Sequence, residues 1–287
     1  MTPPAGRRPR GPRGGREARA RLAANAALLL TAAAFALPLL WLLLASVDPD
    51  ADSRVRAPSS VSGEHFGAVL TDEITFTPML NSLLLCGGAT AVAVGCAALA
   101  AYPLSRQRSA WGRGYLLTIL FTTCLPITAV MVPVYGLFVQ VNLIDSMYGT
   151  GLFLAASQLP FSIWLMKNFM DSVPVVLEEA ARTDGASGTQ TLLRVALPLM
   201  GPGLAVVTVY TFIQLWGNFF VPFMLLLTPE QLPASVTVFT FFGDHGSVVY
   251  GQLAAFSLLY STPALLLYLL IARRLGAGFA LGGAVKG

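Results

Sequence analysis

The chain of 287 residues is 55% hydrophobic and only 11% charged, with a formal net charge of +4. A soluble domain carries about 25% charged residues, so a water-soluble core is excluded and a membrane protein is indicated. Three cysteines, Cys86, Cys96 and Cys124, all fall in apolar runs, which argues against a disulfide framework and for small packing residues.

Residues 1–21 are rich in Arg, Gly and Pro and are expected to form a disordered cytoplasmic tail. The tail lacks interleaved aromatics and abuts a span, so it reads as a topology anchor beside anionic lipid rather than a nucleic-acid arm. A bilayer core needs about 20 apolar residues per helix. Six runs qualify: Leu22–Val47, Leu80–Tyr102, Tyr115–Gln140, Gly149–Met166, Pro202–Leu227 and Gln252–Ala272. None holds an Asp, Glu, Lys or Arg. At about 26 residues the first exceeds the 7–15-residue apolar region of a signal peptide, so it is read as an uncleaved span. The predicted fold is thus an all-α membrane protein with six transmembrane helices over residues 22–272, followed by a cytoplasmic tail at 273–287.

Between the spans, residues 48–79 form the first external segment and open with Asp48, Asp50 and Asp52; a second, Thr228–Tyr250, contains Asp244-His245-Gly246. Small residues crowd the second span (Gly87, Gly88, Ala89, Ala91, Ala93, Gly95, Ala97, Ala98) and predict a close helix-packing face. Prolines within the spans, such as Pro126, Pro133 and Pro222, predict bends.

Sixteen of the eighteen Lys and Arg residues fall on one side of this arrangement; only Arg54 and Arg56 fall on the other. The positive-inside rule therefore puts both termini, and the polar loop 167–200, in the cytoplasm.

That loop reads as two short helices around a glycine. Asp171 or Ser172 is expected to cap the first helix, with Pro174 in its opening turn. Glu178 and Arg182, four apart, are expected to pair on the exposed face. Gly185 stands where a helix end wants a left-handed residue. Ser187 and Gln190 have capping-box spacing. Leu192, Leu193, Val195, Ala196 and Leu197 give the second helix an apolar face, and Pro198 is expected to end it. Ala180 and Ala181 leave the first helix thin enough to enter a groove on a partner.

From Glu179 to Pro198 the chain reads EAARTDGASGTQTLLRVALP, or E-A-A, three residues, Gly, nine residues, V-x-L-P. This resembles the signature of the permease subunits of ATP-binding-cassette importers. NSLLL at 81–85, AAYPLSR at 100–106, LPLMGPGLA at 197–205 and GFALGGAVKG at 278–287 are similar to carbohydrate permeases of the type of the smaller maltose permease subunit. The resemblance runs from about residue 22 to the C-terminus. Two stretches depart from the pattern: Trp216-Gly217-Asn218-Phe219 lacks an acidic residue, and Phe279-Ala280-Leu281 stands where a Leu-Thr-Ala-like stretch is common.

The resemblance implies half of the translocation path of a sugar importer, with Glu179, Ala180, Ala181, Gly185, Leu197 and Pro198 transmitting the motion of an ATPase. It implies four kinds of partner: a second permease subunit, a dimeric cytoplasmic ATPase, an extracytoplasmic solute-binding protein and the lipid of a bacterial-type cell membrane. No phosphate-binding loop occurs in the chain, so ATP and Mg are expected in the ATPase and no cofactor in this subunit. Glycerol phosphate is an alternative cargo. An ion-coupled carrier fits less well, because proton-coupled carriers keep ionisable residues within the membrane. No carboxylate pair, metal cluster or triad suggests an enzyme. Gln158, Trp164, Gln214, Trp216 and Asn218 are the candidates along the substrate path, each with helix packing as the blander role.

Overall fold

In lipid, every backbone N–H and C=O must be paired within its own segment, and the apolar runs of this chain accordingly form helices. The computed structural model describes residues 13–107, 110–242 and 248–283. In chain order they form α1 (Arg13–Ala45), α2 (Glu64–Val69), a π-helical turn (Asp72–Phe76) leading into α3 (Thr77–Arg106), α4 (Ala110–Thr122), α5 (Ile127–Gln140) and α6 (Met147–Asp171). Next come α7 (Val175–Thr183), α8 (Gly188–Thr191), a second π turn (Leu192–Ala196), α9 (Leu197–Leu199), α10 (Gly201–Trp216), α11 (Phe220–Leu225), α12 (Ala234–Thr237) and α13 (Tyr250–Gly283). Among the described residues there is no strand beyond one isolated bridge between Phe242 and Val248.

Four helices are long and apolar enough to cross a membrane, or six if each of two bent pairs is one span. The expected third span, Tyr115–Gln140, is one of those pairs: α4 and α5 meet at 87°. Pro126 cannot donate to the carbonyl of Thr122, and the hydroxyls of Thr122 and Thr123 turn back onto Ile119 and Leu120 at 2.6 and 2.7 Å, so the helix breaks there. The expected fifth span, Pro202–Leu227, stops at Trp216 and resumes as the short α11. Pro222 has no N–H for the carbonyl of Asn218, which takes the Ser235 hydroxyl instead at 3.1 Å.

The two outermost boundaries move furthest outward. Helix α1 begins at Arg13, so residues 13–21, expected to be disordered, continue the helix; Glu17, Ala18, Arg19 and Ala20 are good helix formers. Helix α13 runs on to Gly283, beyond the expected end at Ala272. Residues 1–12 of the Arg-rich tail, the Asp244-His245-Gly246 stretch and residues 284–287 lie outside the described residues.

The centre of the fold is the pair α3 and α6, which pack along most of their length. The small residues of α3 explain this: Ser82, Cys86, Ala89, Ala93, Ala97 and Ala101 recur at helical spacing and are buried, whereas Gly88, Ala91 and Gly95 face outward. Close backbone approach replaces a hydrophobic driving force, which lipid does not supply. Helix α10 lies against both. The hydroxyls of Ser162 on α6 and Thr211 on α10 share a fully buried hydrogen bond of 3.1 Å.

One end of the bundle is tied by polar side chains. Asp145, at a φ of 60°, accepts from the N–H groups of Leu227 at 2.8 Å and Thr228 at 3.0 Å and from the Thr228 hydroxyl. Those bonds, the Thr228 hydroxyl first, hold the Asp145 carboxyl below the usual carboxylate range. Asn81 donates to the carbonyls of Glu230 and Leu232, and Ser82 accepts from the N–H of Ala234. At the same end Asp48 is buried. Burial pushes its carboxyl upward, but the Arg56 guanidinium and the groups of Asp50 and Ser59 together hold it below its ordinary value.

Candidate functional site between the fourth and fifth expected spans

Helix α6 ends at Asp171, and the chain turns through Ser172, Val173 and Pro174 into α7. The cap expected from Asp171 or Ser172 is not formed. Asp171 instead pairs with Lys167 at 2.5 Å and accepts the Ser105 hydroxyl at 2.6 Å, and the Ser172 hydroxyl donates to the carbonyl of Phe169. Pro174 occupies the cap position; it fixes the entry angle but offers no side-chain bond.

Helix α7 closes at Asp184, and Gly185 follows with a φ of +89°, the left-handed conformation expected of it. No atom outside its neighbours lies within 4 Å of where a Cβ would stand, so the backbone conformation alone selects glycine. Ser187 and Gln190 then form both halves of the capping box, at 3.3 and 2.9 Å. The second helix does not end at Pro198. The π turn Leu192–Ala196 places the N–H of Leu197 on the carbonyl of Leu192, the register shifts by one residue, and the N–H that Pro198 lacks is not needed there. The bend comes at Met200, where this segment and α10 meet at 80°. Of the expected apolar face, Leu192 and Ala196 are buried against α3 and α6, Val195 and Leu197 are half-buried, and Leu193 points outward.

The expected Glu178–Arg182 pair is present at 4.0 Å but not on the exposed face. Glu178 is 1% exposed. Its Oε1 accepts from Nη2 and Nε of Arg106, at 2.5 and 2.9 Å, and its Oε2 accepts the Tyr102 hydroxyl at 3.0 Å. Arg182 donates to that hydroxyl at 3.1 Å, and Tyr102 holds the Arg182 guanidinium even more firmly charged than usual. Sequence reasoning missed this arrangement. The signal for it was Arg106 in the last turn of α3, a basic residue with no partner near it in sequence.

Of the residues singled out in the sequence, Glu179 and Ala180 stand exposed on α7, Ala181 is half-buried, and Gly185 and Pro198 are exposed. Glu179 borders an open cavity of about 1080 Å³ together with Arg106, Lys167, Asp171, Glu178 and Arg182. The thin face of α7 is therefore open, while the residue next to it anchors the helix from behind.

The path candidates fall into two groups. Trp216 is 4% exposed; its Nε1 donates to the carbonyl of Tyr260 at 3.1 Å, its ring stacks between Phe212 and Tyr260, and the Tyr260 hydroxyl donates back to its carbonyl. Asn218 accepts from the N–H of Val221 at 3.1 Å, capping α11. Both side chains hold the helix ends together. Gln158 and Trp164 are half-buried and Gln214 is exposed. Phe161 sits between Trp164 and Tyr210, with ring centroids 5.5 and 4.6 Å away. Gln214 follows Tyr210 by one helical turn on α10, and Gln158 precedes Phe161 by three residues on α6, so the amides flank the rings.

Residues 93–277 match the family described as binding-protein-dependent transport system inner membrane component. The chain belongs to this family. The match spans the second half of α3, the α7–α10 segment and α13, and the protein is a multi-pass membrane permease. Among its relatives, an ABC transporter permease protein of Streptomyces antibioticus is 33% identical over 72% of this chain and 90% of its own length. A diacetylchitobiose uptake system permease of Streptomyces coelicolor is 29% identical over 87% of this chain and 91% of its own. A trehalose transport system permease of Mycobacterium tuberculosis is 28% identical over 88% and 92%. A chain in the crystal structure of a bacterial ABC transporter that imports the acidic polysaccharide alginate shares the fold, with a TM-score of 0.77, 24% identity, and 93% of this chain and 99% of that one covered.

Proposed function

We propose that this permease forms half of the translocation path of an ATP-driven sugar importer and that the segment 167–200 couples it to the ATPase. The observation that carries the reading is the α7–Gly185–α8 helix-turn-helix, which offers the exposed Glu179 and Ala180 at the basic end of the bundle. Arg106, Lys167, Arg182, Arg194 and Arg273 fall in the segments assigned to that end, and Arg54 and Arg56 in one assigned to the other; this charge asymmetry supports a cytoplasmic position for the segment and both termini. The ATPase dimer then binds ATP and Mg, and this chain supplies rigid helices that rock as nucleotide state changes. A second permease completes the path, and a solute-binding protein delivers cargo to the opposite end, where Thr228–Tyr250 is the candidate contact.

Sugar is the cargo favoured by the relatives' named substrates. Gln158, Trp164 and Gln214, with Phe161 and Tyr210, supply the amides and ring faces that carbohydrates require. An amide exposed within a span is costly against lipid, so Gln214 faces the path or the partner permease. The test is uptake by proteoliposomes holding the two permeases, the ATPase and the binding protein, with labelled di- and oligosaccharides and glycerol phosphate offered in parallel. ATP-dependent accumulation of a sugar supports the reading. Accumulation of glycerol phosphate alone changes the cargo, and accumulation without the ATPase overturns the mechanism.

A further inference from the structure

Helix α7 packs chiefly within its own segment, against α8 and the π turn that follows it. Its side-chain bonds to the membrane helices run through Glu178 and Arg182. Glu178 is buried, and the guanidinium it holds belongs to the last turn of α3 and is itself only 13% exposed. Burying an ion pair is unfavourable unless its geometry is good and its remaining sites are bonded. Here they are: both carboxylate oxygens have donors, and Arg106 also donates to the carbonyl of Val173 at 3.3 Å and to the Ser105 hydroxyl at 3.1 Å. Ser105 in turn holds Asp171, the last residue of α6. Three elements thus meet at one polar node: the end of α3, the end of α6 and the first half of α7.

We infer that Glu178 and Arg106 are a positioning pair that joins the ATPase-contacting helix α7 to α3, so that the two move as one body throughout the transport cycle. The inference rests on the coupling reading above and adds to it the element that receives the motion. A displacement of α7 is passed to Arg106, hence to α3, and through the long α3–α6 contact to the centre of the bundle. Val173–Pro174 alone would pass it only to the end of α6, through a turn with no cap. A face of small residues such as Ala180 serves docking; an inward carboxylate held by a second helix serves transmission.

The test uses the complete importer with Cys86, Cys96 and Cys124 replaced, and with Arg106→Cys and Glu178→Cys introduced together. Unlinked, this variant is expected to keep its ATPase subunit on co-purification yet move about tenfold less solute per ATP hydrolysed, the size of a typical coupling effect. Joining the two cysteines with a short bifunctional thiol reagent is expected to restore the ratio, which a loss of folding could not explain. A wild-type ratio in the unlinked variant overturns the inference, and so does a linked variant that is blocked, because the contact must then open during the cycle. Should the cysteine pair fail to assemble, Glu178→Gln, which keeps an acceptor for Tyr102, is expected to lower the same ratio with the ATPase still bound; an unchanged ratio is equally fatal. If the wild-type importer neither binds its ATPase nor transports, the coupling reading itself has failed.

Discussion

Gly203 on α10 lies so close to Phe169 on α6 that a Cβ on the glycine would stand 2.5 Å from the ring's Cγ and 2.6 Å from its Cβ. These atoms sit near the backbone of α6 and cannot swing aside as the tip of a flexible side chain can. Gly203→Ala is therefore expected to destabilise the fold by about 1–3 kcal/mol through overpacking. Thermal unfolding in detergent, for the single variant and for Gly203→Ala combined with Phe169→Ala, checks this. The double variant should recover part of the loss, and strict additivity would show that the two residues do not compete for space.

The φ of +89° at Gly185 gives a second expectation. Since the space around it is open, Gly185→Asn should be nearly neutral, whereas Gly185→Val should strain the turn by about 1–2 kcal/mol. Uptake by the reconstituted importer should fall sharply for valine and little for asparagine. Equal losses for both would mean that volume at a partner contact, and not backbone conformation, decides this position.

Asp145 predicts a pH dependence. Its carboxyl titrates lower in the folded protein than in the unfolded chain. Its contribution is therefore fully present above the ordinary carboxylate range and is lost as pH falls through the folded value. Asp145→Asn, which still tolerates positive φ, should lower stability at neutral pH by about 1–2 kcal/mol and flatten the acid limb of the stability profile. Melting curves from pH 7 downward measure both effects. A parallel offset between variant and wild type at every pH would contradict the assignment.

Ser162 and Thr211 predict a smaller effect. Deleting one partner with Thr211→Val removes a buried interhelical bond within the membrane, where such bonds are worth about 0.6 kcal/mol on average. A double-mutant cycle with Ser162→Ala should return a coupling of that order. A value indistinguishable from zero would leave α6 and α10 held by packing alone.

How far the sequence foretold this molecule depended on whether the deciding interaction was local. Gly185 and the Ser187–Gln190 box were legible because a turn and a cap are settled within a few residues. The stripe of small residues on α3 was legible because its period is that of a helix. The breaks at Pro126 and Pro222 were only half legible: proline announces a bend, but its size depends on what takes up the stranded carbonyl, the N–H of Leu125 for Thr122 and the Ser235 hydroxyl for Asn218. Glu178 was misplaced because its partners, Tyr102 and Arg106, lie more than seventy residues away in the chain. Trp216 and Asn218 carried two roles in the sequence, path and packing; the packing partner of Trp216, Tyr260, lies 44 residues away, whereas Asn218 bonds the N–H of Val221 only three residues on, a local cap.

The central claim is that α7 presents Ala180 to an ATPase, and Ala180→Trp tests it most directly. Ala180 is exposed and Glu178, two residues before it, faces inward, so a tryptophan there should leave the subunit folded and fill the docking groove instead. The measurement is co-purification of the ATPase with the wild-type and Ala180→Trp permeases, with melting temperature recorded alongside. The account predicts an unchanged melting temperature and loss of the ATPase from the variant. An Ala180→Trp permease that retains its ATPase at wild-type stoichiometry and drives normal uptake would contradict it.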